Sequence, residues 1–183
     1  MAFNINDLRS QLTFGGAKPS LFQVQITNPV NGIADIKVPF MVKAATIPSS
    51  TLSTIEVPYF GRKIKLPGDR SFAEWSVTVI NDEDFAIRNA MEQWMASINS
   101  HQGNITTLAS ASPLQYKAQA QITQFSKTGI PLRVYNFNGL FPIEISAIDM
   151  NWETDGIEDF TVTFQYDWWD ITGGITGDAN TTA

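Results

Sequence analysis

The amino-acid sequence predicts a mainly β fold, an antiparallel sandwich or barrel with one flanking α-helix. Three observations predict it. Apolar and polar residues alternate with a period of two in several short runs, which is the pattern of half-buried strands. Turn residues separate those runs at short intervals, as in all-β domains. Only one stretch switches to helical spacing, with Ile87, Met91, Trp94, Met95 and Ile98 in line.

Residues 1–20, with Gly15-Gly16 and Pro19, read as an arm leading into a domain that spans 21–170. The first strand is Leu21 to Thr27, with Phe22, Val24 and Ile26 on one face and Gln23, Gln25 and Thr27 on the other. Asn28-Pro29-Val30-Asn31-Gly32 ends it as a turn. Phe40 to Ile47 and Ser53 to Pro58 are the next two strands. Phe72 to Ile80 follows, with Trp75, Val77 and Val79 inward. The helix is expected over roughly 82–99, its start marked by Asn81-Asp82-Glu83-Asp84, acids that favour the positive end of a helix dipole. A Ser/Thr/Ala loop with Pro113 covers 104–115. Strands Tyr116–Phe125 and Leu132–Leu140 flank the turn Lys127-Thr128-Gly129, the second interrupted by Asn138-Gly139. A last pair, Ile143–Trp152 and Phe160–Trp168, is joined by Thr154-Asp155-Gly156. In its second member Phe160, Val162, Phe164, Tyr166 and Trp168 face inward, while Trp169 breaks the alternation toward an interface. Residues 171–183 read as a flexible Gly/Thr-rich tail. No internal repeat is evident.

The 183 residues fit one domain, and a hydrophobic fraction of 43% supports a sizeable core. Charged residues make up only 16%, against roughly 25% in ordinary soluble domains. Such a surface, rich in Gln, Asn, Thr and Ser, fits a chain covered by other subunits. A net charge of −6 argues against a body that wraps nucleic acid, because phosphate binding needs an excess of Lys and Arg. The chain has no cysteine, which excludes disulfides and thiolate metal sites. Its start lacks the basic and apolar segments of a signal peptide, and no run of about 18 apolar residues exists. A soluble protein made in a cytoplasm is expected.

Chemistry finds little purchase. The single histidine, His101, follows a helix end beside Gln102-Gly103, where a surface role is the commoner one. Asp82-Glu83-Asp84 is explained by the helix start without a metal. Glu144, Asp149, Glu153, Asp155, Glu158 and Asp159 crowd the last third, and paired carboxylates can cleave glycosides. Strand-flanking acids of this kind are more often solvated or interfacial. Gly61 and Gly68 do not form a phosphate loop, since no strand-to-helix passage encloses them. No enzyme activity and no cofactor are expected.

The most informative segment is Val57 to Arg70. Arg62, Lys63, Lys65 and Arg70 sit within nine positions of an otherwise acidic chain, punctuated by two Gly and two Pro. A charged loop is commonly just solvated. Here Tyr59, Phe60, Ile64 and Leu66 are threaded through it, and each such side chain gains roughly 1.5–3 kcal/mol on burial. The segment therefore reads as a docking element, toward nucleic acid or toward another acidic surface.

The same residues carry a resemblance. Phe60-Gly61-Arg62-Lys63-Ile64, Pro67-Gly68-Asp69-Arg70-Ser71-Phe72, Trp75-Ser76-Val77-Thr78-Val79 and Asn81-Asp82-Glu83 resemble the tail tube family of T-even-type contractile-tailed bacteriophages. Pro19 to Val24, Lys43 to Pro48, Arg88 to Trp94, Tyr116-Lys117, Asn138 to Pro142, Phe160 to Thr163 and Asp167-Trp168-Trp169 match as well. The resemblance covers most of residues 19–169.

It implies the phage tail tube fold, hexameric rings stacked into a hollow tube inside a contractile sheath, and genome DNA passing through the lumen during ejection. The implied partners are further copies of the chain, the tail sheath protein, baseplate and tail terminator proteins, and DNA that is not specifically bound; no membrane insertion is expected. The implied setting is the virion, with assembly in the host bacterial cytoplasm. Six copies carry about −36 per ring, which repels DNA phosphates. Under this reading Tyr59, Phe60, Arg62, Lys63, Lys65, Leu66, Asp69 and Arg70 form a subunit interface. The inner sheet is sought in Phe40–Ile47, Ser53–Pro58, Tyr116–Phe125 and Leu132–Leu140, with Glu56, Gln119, Gln121 and Thr123 facing the lumen. A baseplate protein that initiates the tube is the near alternative, though 183 residues leave little room for its usual extra domain. A carbohydrate-binding sandwich or a glycosidase is the distant one.

Overall fold

The structure is a computed structural model that describes residues 5–12, 15–106, 112–153 and 155–179. Its elements are α1 (Ile5–Gln11), β1 (Phe22–Ile26), α2 (Ile33–Met41), β2 (Val42–Ala45), β3 (Ser50–Tyr59), β4 (Arg62–Phe72), β5 (Trp75–Ile80), α3 (Ala86–Ile98), α4 (Pro113–Tyr116), β6 (Ala118–Phe125), β7 (Pro131–Ile145), β8 (Asp159–Gln165) and β9 (Trp168–Ile171). All strand pairs are antiparallel.

Seven strands form the body in the order β1-β6-β7-β8-β5-β2, with β9 also on β7. The key element is β7. Its first part, Pro131 to Leu140, pairs with β6 and β9; its second, Phe141 to Ile145, pairs with β8. One strand thus belongs to two layers: a first of β1, β6, β7 and β9, and a second of β7, β8, β5 and β2. The corner falls at Gly139, whose φ of 71° suits glycine, and the backbone runs close against the Asp167 carboxylate there. Lys117 Nζ holds that carboxylate at 2.6 and 2.7 Å.

The alternating residues of both layers meet in the core. Val24, Ile26, Ala120, Ile122, Tyr135 and Phe137 come from the first layer, and Trp75, Val77, Val79, Phe160, Val162 and Phe164 from the second. Trp75 lies flat on Phe137 at 4.4 Å and tilts against Phe164 at 5.4 Å. Helix α3 closes one side with Ile87, Ala90, Met91 and Trp94, and the Trp94 indole N–H donates to the Tyr116 carbonyl at 2.8 Å.

The mainly β sandwich is as expected, but several local readings are corrected. A second helix, α2, occupies 33–41, so Phe40 and Met41 are helical and the expected strand begins only at Val42. A web around the buried Asn28 builds it. Asn28 Oδ1 accepts from the Val30 and Asn31 amides, its Nδ2 donates to the Ala90 carbonyl, and Asn31 Oδ1 accepts from the Ile33 amide. Ala34 and Val38, one helical turn apart, then bury inward, and this packing outweighs Pro39.

Helix α3 starts four residues later than the acids indicate. Its N-cap is Phe85 in the left-handed region, and no acid lies in its first turn. Asp84 Oδ1 still accepts from the Ala86 amide at 3.0 Å, and Asp82 and Asp84 both pair with Lys37 of α2. Ile143–Trp152 is not a separate strand, because Ile143–Ile145 completes β7 and the described residues beyond lack strand pairing. The alternation of β8 stops at Tyr166: Trp168 is exposed and Trp169 packs against the core, since the chain switches layers to form β9. Ile171 is buried in β9, and the Ile175 and Thr176 amides donate to the Pro131 and Leu132 carbonyls. The N-terminal arm contains α1, which has no buried residue. Residues 107–111 of the expected loop, Thr154 of the expected turn, Met1–Asn4 and 180–183 lie outside the described residues.

Candidate assembly surfaces

The basic segment is not a loop. It is β4, zipped to β3 from Ser50↔Phe72 to Tyr59↔Arg62 in a sheet separate from the body. Phe60 and Gly61 at the tip have φ of 43° and 78°, and two positive φ angles are what a two-residue I′ hairpin turn requires. Pro67 lacks a donor, yet it is tolerated because β4 has a free edge and the register shifts nearby, between Leu52 and Thr54.

Register divides the hairpin into two faces. Ile55, Val57 and Tyr59 stand opposite Leu66, Ile64 and Arg62, and form an apolar face. Thr54, Glu56 and Pro58 stand opposite Pro67, Lys65 and Lys63. On this second face Glu56 binds Lys63 at 2.7 Å and reaches Lys65 at 4.0 Å. Arg62 and Arg70 have no ion pair among the described residues. Every residue of β3 is exposed, and Phe60 is 91% exposed at the tip against the edge of Tyr59. A lone two-stranded hairpin is marginal in water, which makes this exposed arm a candidate contact for a partner.

Its base is firmly held. The Ala73 amide donates to the Ser49 carbonyl at 3.0 Å, and Phe72 packs against Tyr166 and Trp169. The buried Tyr166 hydroxyl donates to the Ala73 carbonyl at 2.6 Å. Burial pushes its pKa up to about 12 from an ordinary 10.0. A raised folded pKa gives stability that is complete below pH 10 and lost as pH rises toward 12. We predict that tyrosine absorbance shows one group titrating near 12, and that Tyr166→Phe abolishes the matching alkaline loss of stability.

The outer face of the first layer is a second surface. Gln25, Gln121, Asn136 and Asp170 stand side by side across four strands. Gln121 donates to Asn136 at 2.9 Å, and Asn136 to Asp170 at 3.0 Å. A shallow polar depression of about 360 Å³ lies there, bordered also by Gln119, Asn138 and Trp168. Of the expected lumen set, Gln119, Gln121 and Thr123 share this face, while Glu56 lies apart on the hairpin. The four segments assigned to one inner sheet are likewise divided: β6 and the first part of β7 are neighbours, β2 is in the other layer, and β3 is in the hairpin. Asn136 and Asp170 complete the lattice but escape a sequence reading, because only cross-strand register aligns them with Gln121.

The profile of the phage tail tube protein family matches residues 17–172. The chain belongs to this family. It is 32% identical over 156 residues to tail tube protein gp19 of Enterobacteria phage T4, covering 84% of this chain and 91% of that protein. The tail tube protein of Serratia phage KSP90 is 24% identical over 168 residues, 88% of this chain and 93% of the relative. Among solved structures the fold is shared with the sheath/tube terminator of an extracellular contractile injection system. That match has a TM-score of 0.65 and 15% identity, over 86% of this chain and 97% of the other. The sheath-tube complex of the same kind of system gives 0.60 and 15%, over 93% and 99%. As a tail tube family member the chain is a structural protein of the inner tube.

Proposed function

We propose that the chain assembles into hexameric rings that stack into the inner tube of a contractile phage tail, a conduit for DNA ejection rather than an enzyme. The observation that carries this reading is the β3–β4 hairpin, an amphipathic arm whose apolar face no described residue of its own subunit covers. Tyr59, Phe60 and Leu66 seal a contact with an adjacent copy, and Arg62, Lys63, Lys65 and Arg70 meet acids there, with Asp69 beside them. Lysines 63 and 65 do so with Glu56 already at hand, which leaves Arg62 and Arg70 as the free charges. Sheath, baseplate and tail terminator proteins are the further partners, and the virion is the setting.

The polar outer face of the first layer is assigned to the lumen, with Gln119, Gln121 and Thr123 on the wall. Side chains bonded to one another, uncharged apart from Asp170, offer DNA phosphates few free donors, and the acidic chain as a whole repels them. Negative-stain electron microscopy of the purified protein tests the reading: rings or hollow filaments are expected, and a population of discrete monomers at every concentration refutes it. A lumen role adds a further expectation. Thr123→Lys with Gln119→Lys leaves tubes intact and slows DNA release in a phage ejection assay, because cations on the wall hold phosphates. Unchanged release in tubes that carry both substitutions removes these residues from the wall.

A further inference from the structure

The hairpin needs a receptor, and the register of the second layer points to one. Strand β5 runs from Trp75, opposite Phe164, to Ile80, opposite Asp159. The hairpin leaves after Ala45 and returns before Trp75, so it extends from the Trp75 end of this layer. The connection between β7 and β8, residues 146–158, leaves after Ile145 and returns at Asp159, at the Ile80 end. Hydrogen bonds from the Ser146 amide to Thr161 and from the Asn81 amide to Glu158 fix both of its ends there. The two segments therefore extend from opposite ends of one sheet.

They are also opposite in chemistry. The hairpin carries four cations against Glu56 and Asp69; the connection carries Asp149, Glu153, Asp155 and Glu158 and no cation. Each bears exposed apolar residues that are costly to leave wet. On the connection these are Met150, Trp152 and Ile157, with Trp152 fully exposed. An Asn151 turn, with Oδ1 accepting from the Glu153 amide at 3.1 Å, holds Trp152 outward.

We infer that the 146–158 connection of one copy receives the β3–β4 hairpin of the next, Trp152 and Met150 covering the face of Ile55, Val57, Ile64 and Leu66, and Asp149 and Glu153 meeting Arg62, which shares that face. This rests on the tube reading and names the joint within it. A contact between two different surfaces at opposite ends is heterologous, and repeated without closure it propagates as an open stack. Two other apolar surfaces fit the hairpin less well. The groove of about 640 Å³ beside Phe125, Ile130, Leu132 and Ile175 is bordered by Lys18 and Lys127. The exposed stripe Ile33, Ile36 and Phe40 on α2 has Lys37 beside it, already paired with Asp82 and Asp84.

Charge exchange tests the pairing. Arg62→Glu, and separately Asp149→Lys with Glu153→Lys, each raise the concentration needed for filaments at least about tenfold, as reversed charge pairs at one interface do. The chain carrying all three substitutions recovers filaments to within about threefold of the original, since the swapped charges again match. Circular dichroism and sedimentation confirm folded monomers; should the lysine pair unfold the connection, Asp149→Asn with Glu153→Asn carries the test at smaller amplitude. Filaments unaffected by the changes at 149 and 153, or a combined variant no better than its parents, overturn the inference and move the receptor to the Lys127 groove or the α2 stripe. Absence of filaments from the unaltered chain instead refutes the tube reading itself.

Discussion

Reversing Arg62 and Lys63 together, to Glu, stops tube assembly and leaves the subunit folded. The hairpin holds four cations and two acids, so two reversals turn its net charge from positive to negative. A negative arm then approaches copies that are themselves acidic, and like charges brought together at an interface cost several kcal/mol. The fold loses little. Both side chains lie on an exposed hairpin, and the one ion pair removed, Lys63 with Glu56, is a surface pair of about 0–1 kcal/mol. Electron microscopy reports the assembly and thermal unfolding reports the fold. Normal tubes from the double variant exclude the hairpin charges from the contact.

Trp75→Ala has the opposite profile: it damages the subunit itself. Trp75 is fully buried, stacked on Phe137 of the other layer and against Phe164 of the adjacent strand. Truncation leaves a cavity between the layers and costs about 3–5 kcal/mol. That is a large share of the 5–15 kcal/mol on which a domain stands, and it lowers the melting midpoint by roughly 10 °C. Trp75→Phe costs clearly less, because the ring contact survives and the indole N–H, which lacks a partner among the described residues, is removed. Calorimetry of the two variants checks the order; an alanine variant as stable as the phenylalanine one contradicts the stacking account.

What the sequence revealed about the fold follows from where local pattern and packing coincide. Val24, Trp75, Val77, Phe160 and Phe164 alternate because one face of each strand meets the core, so both layers were legible. Helix α2 was not, because its buried set is only Ala34 and Val38, and Pro39 argues against it locally. The unity of β7 was hidden by Gly139 and Pro142, which usually interrupt strands and here sit where the strand changes layers. Trp168 falls outside the alternation for the same reason, because the chain changes layers between β8 and β9. The composition of the basic segment reads as that of a docking element. That it is a strand depends on pairing with β3, and the alternation of Ile64 and Leu66 with Lys63 and Lys65 was masked by its Gly and Pro. The acids of 146–158 look solvated in sequence; only the register places them at the end opposite the hairpin.

The strand shared by both layers also determines how the subunit opens. Separating either layer from β7 exposes the edge of the other, so the body behaves as one cooperative unit in amide hydrogen exchange, its protons leaving together only on global unfolding. The hairpin is outside that unit, and its amides exchange with solvent whenever the two strands part. A subunit of this design has a stiff body and a pliable arm. If the hairpin is the joint proposed above, slowed exchange at β3 and β4 serves as a clock for the moment a copy joins a neighbour.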